Sequence, residues 1–387
     1  MSRIYLDHNA TTPLAPEALA AMLPFLSDEE GGRFGNPSAI SSEGRVTRAA
    51  VDEARETLAQ ILGASRPQEI IFTSGGTESD NLAVIGLCRS RVEKNGCRRH
   101  LITSQTEHHA VLHAADFLEK HEQFQVTRLP VDARGLVDLD ALREALTPQT
   151  ALVSIHAVNN ETGTIQPVPE IAAICREHGV PFHSDCVQAF GKIPVNCESP
   201  DAISLAAHKF HGPRGAGLLW LRSGFSIEPI LFGGAQENER RPGTENVPAI
   251  VGMAAAAQWA IQNLESEADR QTTLRERLWE GIVAAFPQAV RNGAWDEPGR
   301  QLATTLNISF PGLDSEALLN NFDLEGIAIS GGSACMAGST QPSHVLMAMG
   351  VPKETASVRF SLGKGTSAER IETVIARLPR IFARCRL

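Results

Sequence analysis

What this sequence lacks narrows it first. No two of its seven cysteines, Cys88, Cys97, Cys175, Cys186, Cys197, Cys335 and Cys385, are spaced as CxxC, and their number is odd. A zinc knuckle or a disulfide framework is thereby excluded as the basis of the fold, and no metal site is expected. Basic charge is in deficit: 35 Lys and Arg against 45 Asp and Glu leave a net charge of −10. A nucleic-acid partner normally requires a basic face, so none is expected. No apolar run approaches the roughly 20 residues that span a bilayer, and the start, MSRIYLDHNATTP, has no signal-peptide core. The expectation is a cytoplasmic protein without a membrane role. Repeats and low-complexity tracts are absent too.

What is present is a chain of 387 residues, 42% hydrophobic and 21% charged. Chains beyond about 250–300 residues usually divide into domains. A helical pattern over 42–62 is followed by a strand–helix rhythm. Apolar runs at 69–74, 100–105, 150–158, 181–185, 202–207 and 215–222 read as strands, several followed by amphipathic helices. Such alternation predicts an α/β fold with a mainly parallel sheet covered by helices. Near Pro248 the pattern changes to long helices, about 248–263 and 267–285, then to strands at 303–310 and 356–362 with further helices. The expected division is a large domain over 15–260 and a smaller α+β domain from 1–14 and 261–387.

Open α/β sheets bind ligands at the carboxyl ends of their strands, and the chemistry-bearing residues fall there repeatedly. After strand 69–74, "SGGTESDN" places Gly75 and Gly76 before a helix start. Backbone N–H groups there can cradle a phosphate, although a Gly-Gly turn into a helix is common. Asp185 ends strand 181–185, where it can pair with a cationic ring nitrogen or simply cap a helix. Lys209 follows strand 202–207, where partial burial suits an amine to Schiff-base chemistry, or where it snorkels beside a turn. A separation of 24 residues puts Asp185 and Lys209 on one rim of the sheet. Cradle, carboxylate and lysine, in that order, form the layout of a pyridoxal phosphate site.

The chain resembles the cysteine desulfurases of the NifS/IscS type, among the fold-type-I pyridoxal phosphate enzymes of the class-V aminotransferase family. The resemblance runs nearly end to end. It is carried by "YLDHNATTP" (5–13), "FGNPS" (34–38), "FTSGGTESDNLA" (72–83), "TEHHAVL" (106–112), "VNNETG" (158–163), "HSDCVQAFGK" (183–192), "AHKFHGPRGAG" (207–217), "RRPGTENVP" (240–248), "SGGSAC" (330–335) and "VRFSLG" (358–363). It implies a large domain built on a seven-stranded, mainly parallel sheet.

The resemblance also implies roles. Lys209 captures the cofactor's aldehyde and later removes the substrate's α-proton. Asp185 holds the pyridine nitrogen, and His108 stacks on the ring and serves as acid/base. Asn160 and Gln188 bond its phenolic oxygen, and Gly76, Thr77 and His208 its phosphate. Thr244 reaches the phosphate of a second subunit, which implies a homodimer. Arg359 clamps the carboxylate of L-cysteine, assisted by Asn36 and Asn160. Cys335, set among small residues, attacks the substrate's sulfur. It keeps that sulfur as a persulfide for an acceptor protein in iron–sulfur assembly or transfer-RNA thiolation, and alanine is released. Rival readings are a selenocysteine lyase, a C–S lyase or an aminotransferase on the same scaffold, or a non-catalytic scaffold that binds partners.

Three positions depart from the family pattern. Ser41 replaces a common histidine, Cys186 a common alanine, and Ala206 the usual Ser or Thr that contacts the phosphate. Loss of one hydrogen bond to a charged group costs about 1.5–3 kcal/mol. Ala206→Ser is therefore expected to tighten cofactor binding. An affinity that is unchanged or weaker in an equilibrium titration contradicts this reading.

Overall fold

The computed structural model describes residues 3–27, 33–92, 98–331 and 343–385. Cys335 and its immediate neighbours lie outside them. Twelve strands are formed by the described residues: β1 Ile4–Tyr5, β2 Ile70–Thr73, β3 His100–Ser104, β4 Gln125–Leu129, β5 Thr150–Ser154, β6 Phe182–Asp185, β7 Ala202–Ala206, β8 Gly217–Leu221, β9 Val290–Asn292, β10 Thr305–Phe310, β11 Ile327–Ala328 and β12 Ala356–Ser361. Seven of them form one sheet in the order β2-β8-β7-β6-β5-β3-β4. Only β8 runs against its neighbours; the remaining pairings are parallel. The α/β expectation holds. Every residue of β2, β3, β5, β6, β7 and β8 is buried, as a sheet covered on both faces requires.

The strand of the large sheet that the sequence did not mark is β4, and the short β1, β9 and β11 outside it were not marked either. The β4 sequence, QVTRL, is only half-buried along most of its length, because it forms the sheet's edge beside β3. The expected strand 150–158 is cut to Thr150–Ser154. Beyond it the chain still bonds to β6 through Ile155 N–H to His183 O at 3.1 Å and Ala157 N–H to Asp185 O at 2.9 Å.

The helix Ser42–Leu62 starts at the departure residue Ser41, whose hydroxyl accepts the Gly44 N–H at 3.2 Å. Serine there is thus a helix cap, a role worth about 1 kcal/mol. The helix packs on Val247–Gln262 over the β2 side of the sheet. The second sheet, β12-β10-β9, is antiparallel and shares its core with the helices Leu264–Ala285 and Ala368–Arg384. The N-terminal β1 pairs with β11, and Ile4 and Leu6 bury in that second core.

The loop after β8 is held at its strained turn by a buried ion pair. Glu237, Asn238 and Glu239 all have positive φ, at 48°, 54° and 64°. That left-handed conformation costs roughly 1–2 kcal/mol for each non-glycine residue. Glu237 is buried and accepts both Arg55 terminal nitrogens at 2.7 Å, together with the Phe72 N–H at 3.1 Å. Arg55 also lies 4.6 Å from the centre of the Phe72 ring. Glu237→Ala leaves a part-buried guanidinium unpaired and should lower stability by about 3–5 kcal/mol, read from urea unfolding. A loss below about 1 kcal/mol would show that other contacts hold the loop.

Candidate functional site

The ends of β2, β3, β5, β6 and β7, with β12 and one crossing segment, build a cavity of about 180 Å³ at the carboxyl edge of the large sheet. Its walls include Gly76, Thr77, His108, Asn160, Asp185, Gln188, His208, Lys209 and Arg359. The structure thus brings together most of the residues singled out from the sequence. Asn36 and Thr244 are exposed and are not among the lining residues. Cys335 is outside the described residues.

The cradle follows β2. Gly75 has φ 157° and ψ −179°, a region that only glycine occupies readily. Any Cβ on Gly76 would come within 2.8 Å of Val187 Cγ2 and crowd the cavity wall. Helical structure then runs without a break from Gly76 to Arg91, including a π-helical stretch over Leu82–Gly86. Its N-terminus faces the cavity.

Lys209 lies just past β7. Its Nζ donates to the carbonyls of Asn9 and Ala10, the latter at 2.9 Å. This explains the N-terminal motif. From Leu6 to Thr12 the chain is strung between the second sheet and the turn after β7. Leu6 N–H reaches Ala328 O, His8 N–H reaches Ser361 O, and Thr12 N–H reaches His208 O. Asn9 adds a side-chain bond to Thr305 Oγ1 at 2.9 Å. Gln188 Nε2 also donates to Asn9 O at 2.9 Å, while its Oε1 accepts Lys192 Nζ at 2.7 Å. Burial, with the charges of Lys209 and Arg359 nearby, brings the Lys192 amine down to about 7.

Asp185 closes β6, and the parallel register pairs it with Ser204 in β7. Both readings of Asp185 hold at once. It accepts the Val187 N–H at 2.8 Å, as a turn-capping Asp does, and its carboxylate lines the cavity. Burial pushes it up to about 6, with Glu107 adding to the rise, while the Val187 N–H, His156 and Lys209 oppose it. Behind it lies Asp80, wholly buried and held well above the usual carboxylate range by burial and by Asp185. Asp80 has one oxygen without a hydrogen-bond partner, which adds to the cost of ionising it.

His108 caps the helix His109–Glu122: its Nδ1 accepts the Ala110 N–H at 3.1 Å. Burial and Lys209 bring it down to about 4, so the ring is neutral and its proton sits on Nε2. Burial and Lys209 also bring His208 to about 4, and its Nδ1 is 3.1 Å from the Thr11 hydroxyl. Arg359 is 1% exposed, with Nη2 on Asp7 at 2.8 Å and Nη1 on the Asn160 carbonyl at 2.8 Å. Its Nε has no partner among the described residues. One N–H on Nε and one on Nη2 therefore remain to meet a ligand carboxylate side-on.

Reading the sequence alone missed Asp7, Asn9, Asp80, Glu107, His156 and Lys192. Asp7, Asn9, Asp80, Glu107 and Lys192 lie inside recognisable motifs, and His156 follows a buried strand, so their positions carried a signal. Their partners, up to 352 residues away, did not.

Comparison with known proteins agrees with this geometry. The family model for class-V aminotransferases matches residues 4–374. The chain belongs to this family. A cysteine desulfurase IscS from Dictyoglomus turgidum is 45% identical over 99% of this chain and 95% of its own length. A solved NifS-like protein superposes with a TM-score of 0.90 at 35% identity, covering 98% of this chain and 99% of that one. The structure described as SspA in complex with cysteine gives a TM-score of 0.79 at 38% identity, covering 93% and 98% respectively.

The raised Asp185 has a consequence for stability. Its folded proton affinity lies above the unfolded value near 4, so the folded state binds the proton more tightly. Stability of the cofactor-free protein is therefore drawn down as pH rises from about 4 through 6. Asp185→Asn keeps the bond to Val187 and removes the charge. Above pH 6 it should be more stable than wild type by about 2–3 kcal/mol, with the gap closing toward pH 4. Melting curves of the two cofactor-free proteins against pH read this out. A variant that is less stable at neutral pH overturns the assignment.

Proposed function

We propose that the chain is a pyridoxal 5'-phosphate-dependent cysteine desulfurase that converts L-cysteine to L-alanine and holds the removed sulfur on Cys335 as a persulfide. The observation that carries this reading is the pairing, in one cavity, of the Lys209 amine with the buried Asp185 carboxylate beside a glycine-opened helix start. The residues fit the cofactor: an amine for its aldehyde, a carboxylate for its ring nitrogen, and a Cβ-free cradle at Gly76 for its phosphate. When bound, it supplies an aldehyde that captures the substrate's amino group and a ring that absorbs the charge released at the α-carbon.

The chain's own residues do the rest. Gly76, Thr77 and His208 hold the phosphate, and Asp185 keeps the ring nitrogen protonated. Neutral His108 covers the ring face and carries a proton on Nε2. Asn160 and Gln188 are placed for the phenolic oxygen, Gln188 through the amide hydrogen that Asn9 leaves over. Arg359 takes the substrate carboxylate on its Nε and Nη2 edge. Lys209 Nζ, the amine that would hold the aldehyde, is also the base that would take the substrate's α-proton. The Cys335 thiolate then attacks the substrate sulfur: an S–S bond forms, the C–S bond breaks, and its electron pair stays with the three-carbon fragment, which takes up protons and leaves as alanine.

The thiols among the described residues support the choice of Cys335. Cys88, Cys175, Cys186, Cys197 and Cys385 are buried, and burial raises all five. Cys186, beside Asp185, is pushed to about 12 and is inert as a nucleophile. The exposed Thr244 sits in a loop tied to the helix start by Arg241 and Glu78 at 2.7 Å, a placement suited to a second subunit's phosphate in a homodimer. Asn36, likewise exposed, would join the site only on a local rearrangement. The persulfide sulfur passes to an acceptor protein in the cytoplasm.

The test supplies L-cysteine and a reductant and measures alanine and sulfide. Wild type should release both in equal amounts, and Cys335→Ala should lose at least about 100-fold in rate, as expected when a covalent nucleophile is removed. Full desulfuration by Cys335→Ala rejects the nucleophile. Alanine formed without any protein-bound persulfide, with reductant omitted, favours a lyase.

A further inference from the structure

A third histidine, not required by the chemistry above, lines the same cavity as the cofactor's expected carboxylate. His156 follows β5 and is 3% exposed. Its Nδ1 is 2.9 Å from Oε1 of Glu107, a carboxylate with no exposure at all. Glu107 also accepts the His156 N–H, at 3.0 and 3.1 Å on its two oxygens, and the Ser104 hydroxyl at 2.7 Å. An ionised carboxylate only accepts, so Nδ1 carries the proton of that bond. The other ring nitrogen, Nε2, is buried without a hydrogen-bond partner among the described residues. A bare polar atom in such a place is costly unless it has something to face.

What it faces follows from the sheet. The β5–β6 register pairs Ser154 with His183, and the bonds beyond it continue the ladder to Ala157 and Asp185. Carried on by two residues, that register sets His156 beside Asp185 on the same side of the sheet. Both line the cavity. Burial alone would lower the His156 proton affinity, but Glu107 and then Asp185 outweigh it and hold the ring above its ordinary range.

We propose that His156 is a positioning residue for the cofactor's ring nitrogen: fixed by Glu107 through Nδ1, it turns Nε2–H toward Asp185 and holds that carboxylate ionised and in place. The chain then contains a line of alternating charge, Glu107 to His156 to Asp185, ending at the ring nitrogen. The arrangement offsets the two influences that favour a protonated Asp185, its burial and the neighbouring Glu107. Lys209 is the other cation facing it. The proposal rests on the reading of the cavity as a pyridoxal phosphate site.

The test is an equilibrium titration of the cofactor-free protein with pyridoxal 5'-phosphate across pH, followed by absorbance. Wild type, His156→Gln and His156→Met are compared. Gln can keep the bond to Glu107 but carries no charge. Without the cation Asp185 takes up a proton more readily, so affinity should begin to fall at a pH about one unit higher in both variants. At pH 7 the dissociation constant should rise about twofold, and the gap should widen toward about tenfold below pH 6. In wild-type cofactor-free protein labelled with 15N-histidine, one imidazole should remain doubly protonated at pH 7 and disappear in His156→Gln. A wild type that binds no cofactor overturns the site reading itself. A wild type that binds, with His156→Gln following the same pH profile, overturns the inference and leaves the site reading standing. Loss in Met alone assigns His156 to packing and also overturns it. Should the Met variant not fold, the Gln variant and the labelled wild type carry the test.

Discussion

A charged carboxylate at the inner end of β6 is the constraint on which the rest of this molecule depends. Asp185 is 8% exposed, and burial pushes it up to about 6. In water a carboxylate costs nothing to ionise at neutral pH. Here it stays ionised only because the fold surrounds it with an N–H donor and cations. Val187 donates to it, His156 sits beside it, and Lys209 approaches from the next strand. The cofactor-free protein gives up stability to keep this group ready, as sites that bind charged ligands commonly do.

The topology is the means of assembly. Parallel pairing of β5, β6 and β7 places the residues after each strand on one rim. The helix start after β2 reaches the same rim because β8, running in reverse, sets β2 beside β7 through one intervening strand. The N-terminal segment then ties the rim to the second sheet. Its Asn9 carbonyl takes hydrogen bonds from both Lys209 and Gln188, while Asp7 meets Arg359 from β12. Movement of the second sheet relative to the first would therefore be felt at the amine and at the guanidinium together.

Much of this was legible in the sequence, for local reasons. The buried strands announce themselves as apolar runs, and Asp185 and Lys209 follow such runs directly. The helix Ser42–Leu62 was readable to the residue, since its pattern ends at a glycine with φ 71°. Elsewhere the signal was missing. QVTRL is an edge strand that buries little, so no apolar run marks β4. The reason for "YLDHNATTP" could not be read, because its partners across the fold lie 151 to 355 positions away. Glu107 and His156 illustrate the same limit: each is an unremarkable polar residue until the sheet register sets them in line with Asp185.

Two amines, Lys209 in the cavity and Lys192 on its lining residue Gln188, offer a direct decision. Lys209 lines the cavity, whereas Lys192, brought to about 7, stands behind Gln188 and would be chemically competent if it could reach. Loading the protein with pyridoxal 5'-phosphate, reducing with borohydride and mapping the labelled peptide by mass spectrometry identifies the amine that holds the aldehyde. The account predicts the label on Lys209 alone. Label on Lys192, or on no lysine of this rim, contradicts it.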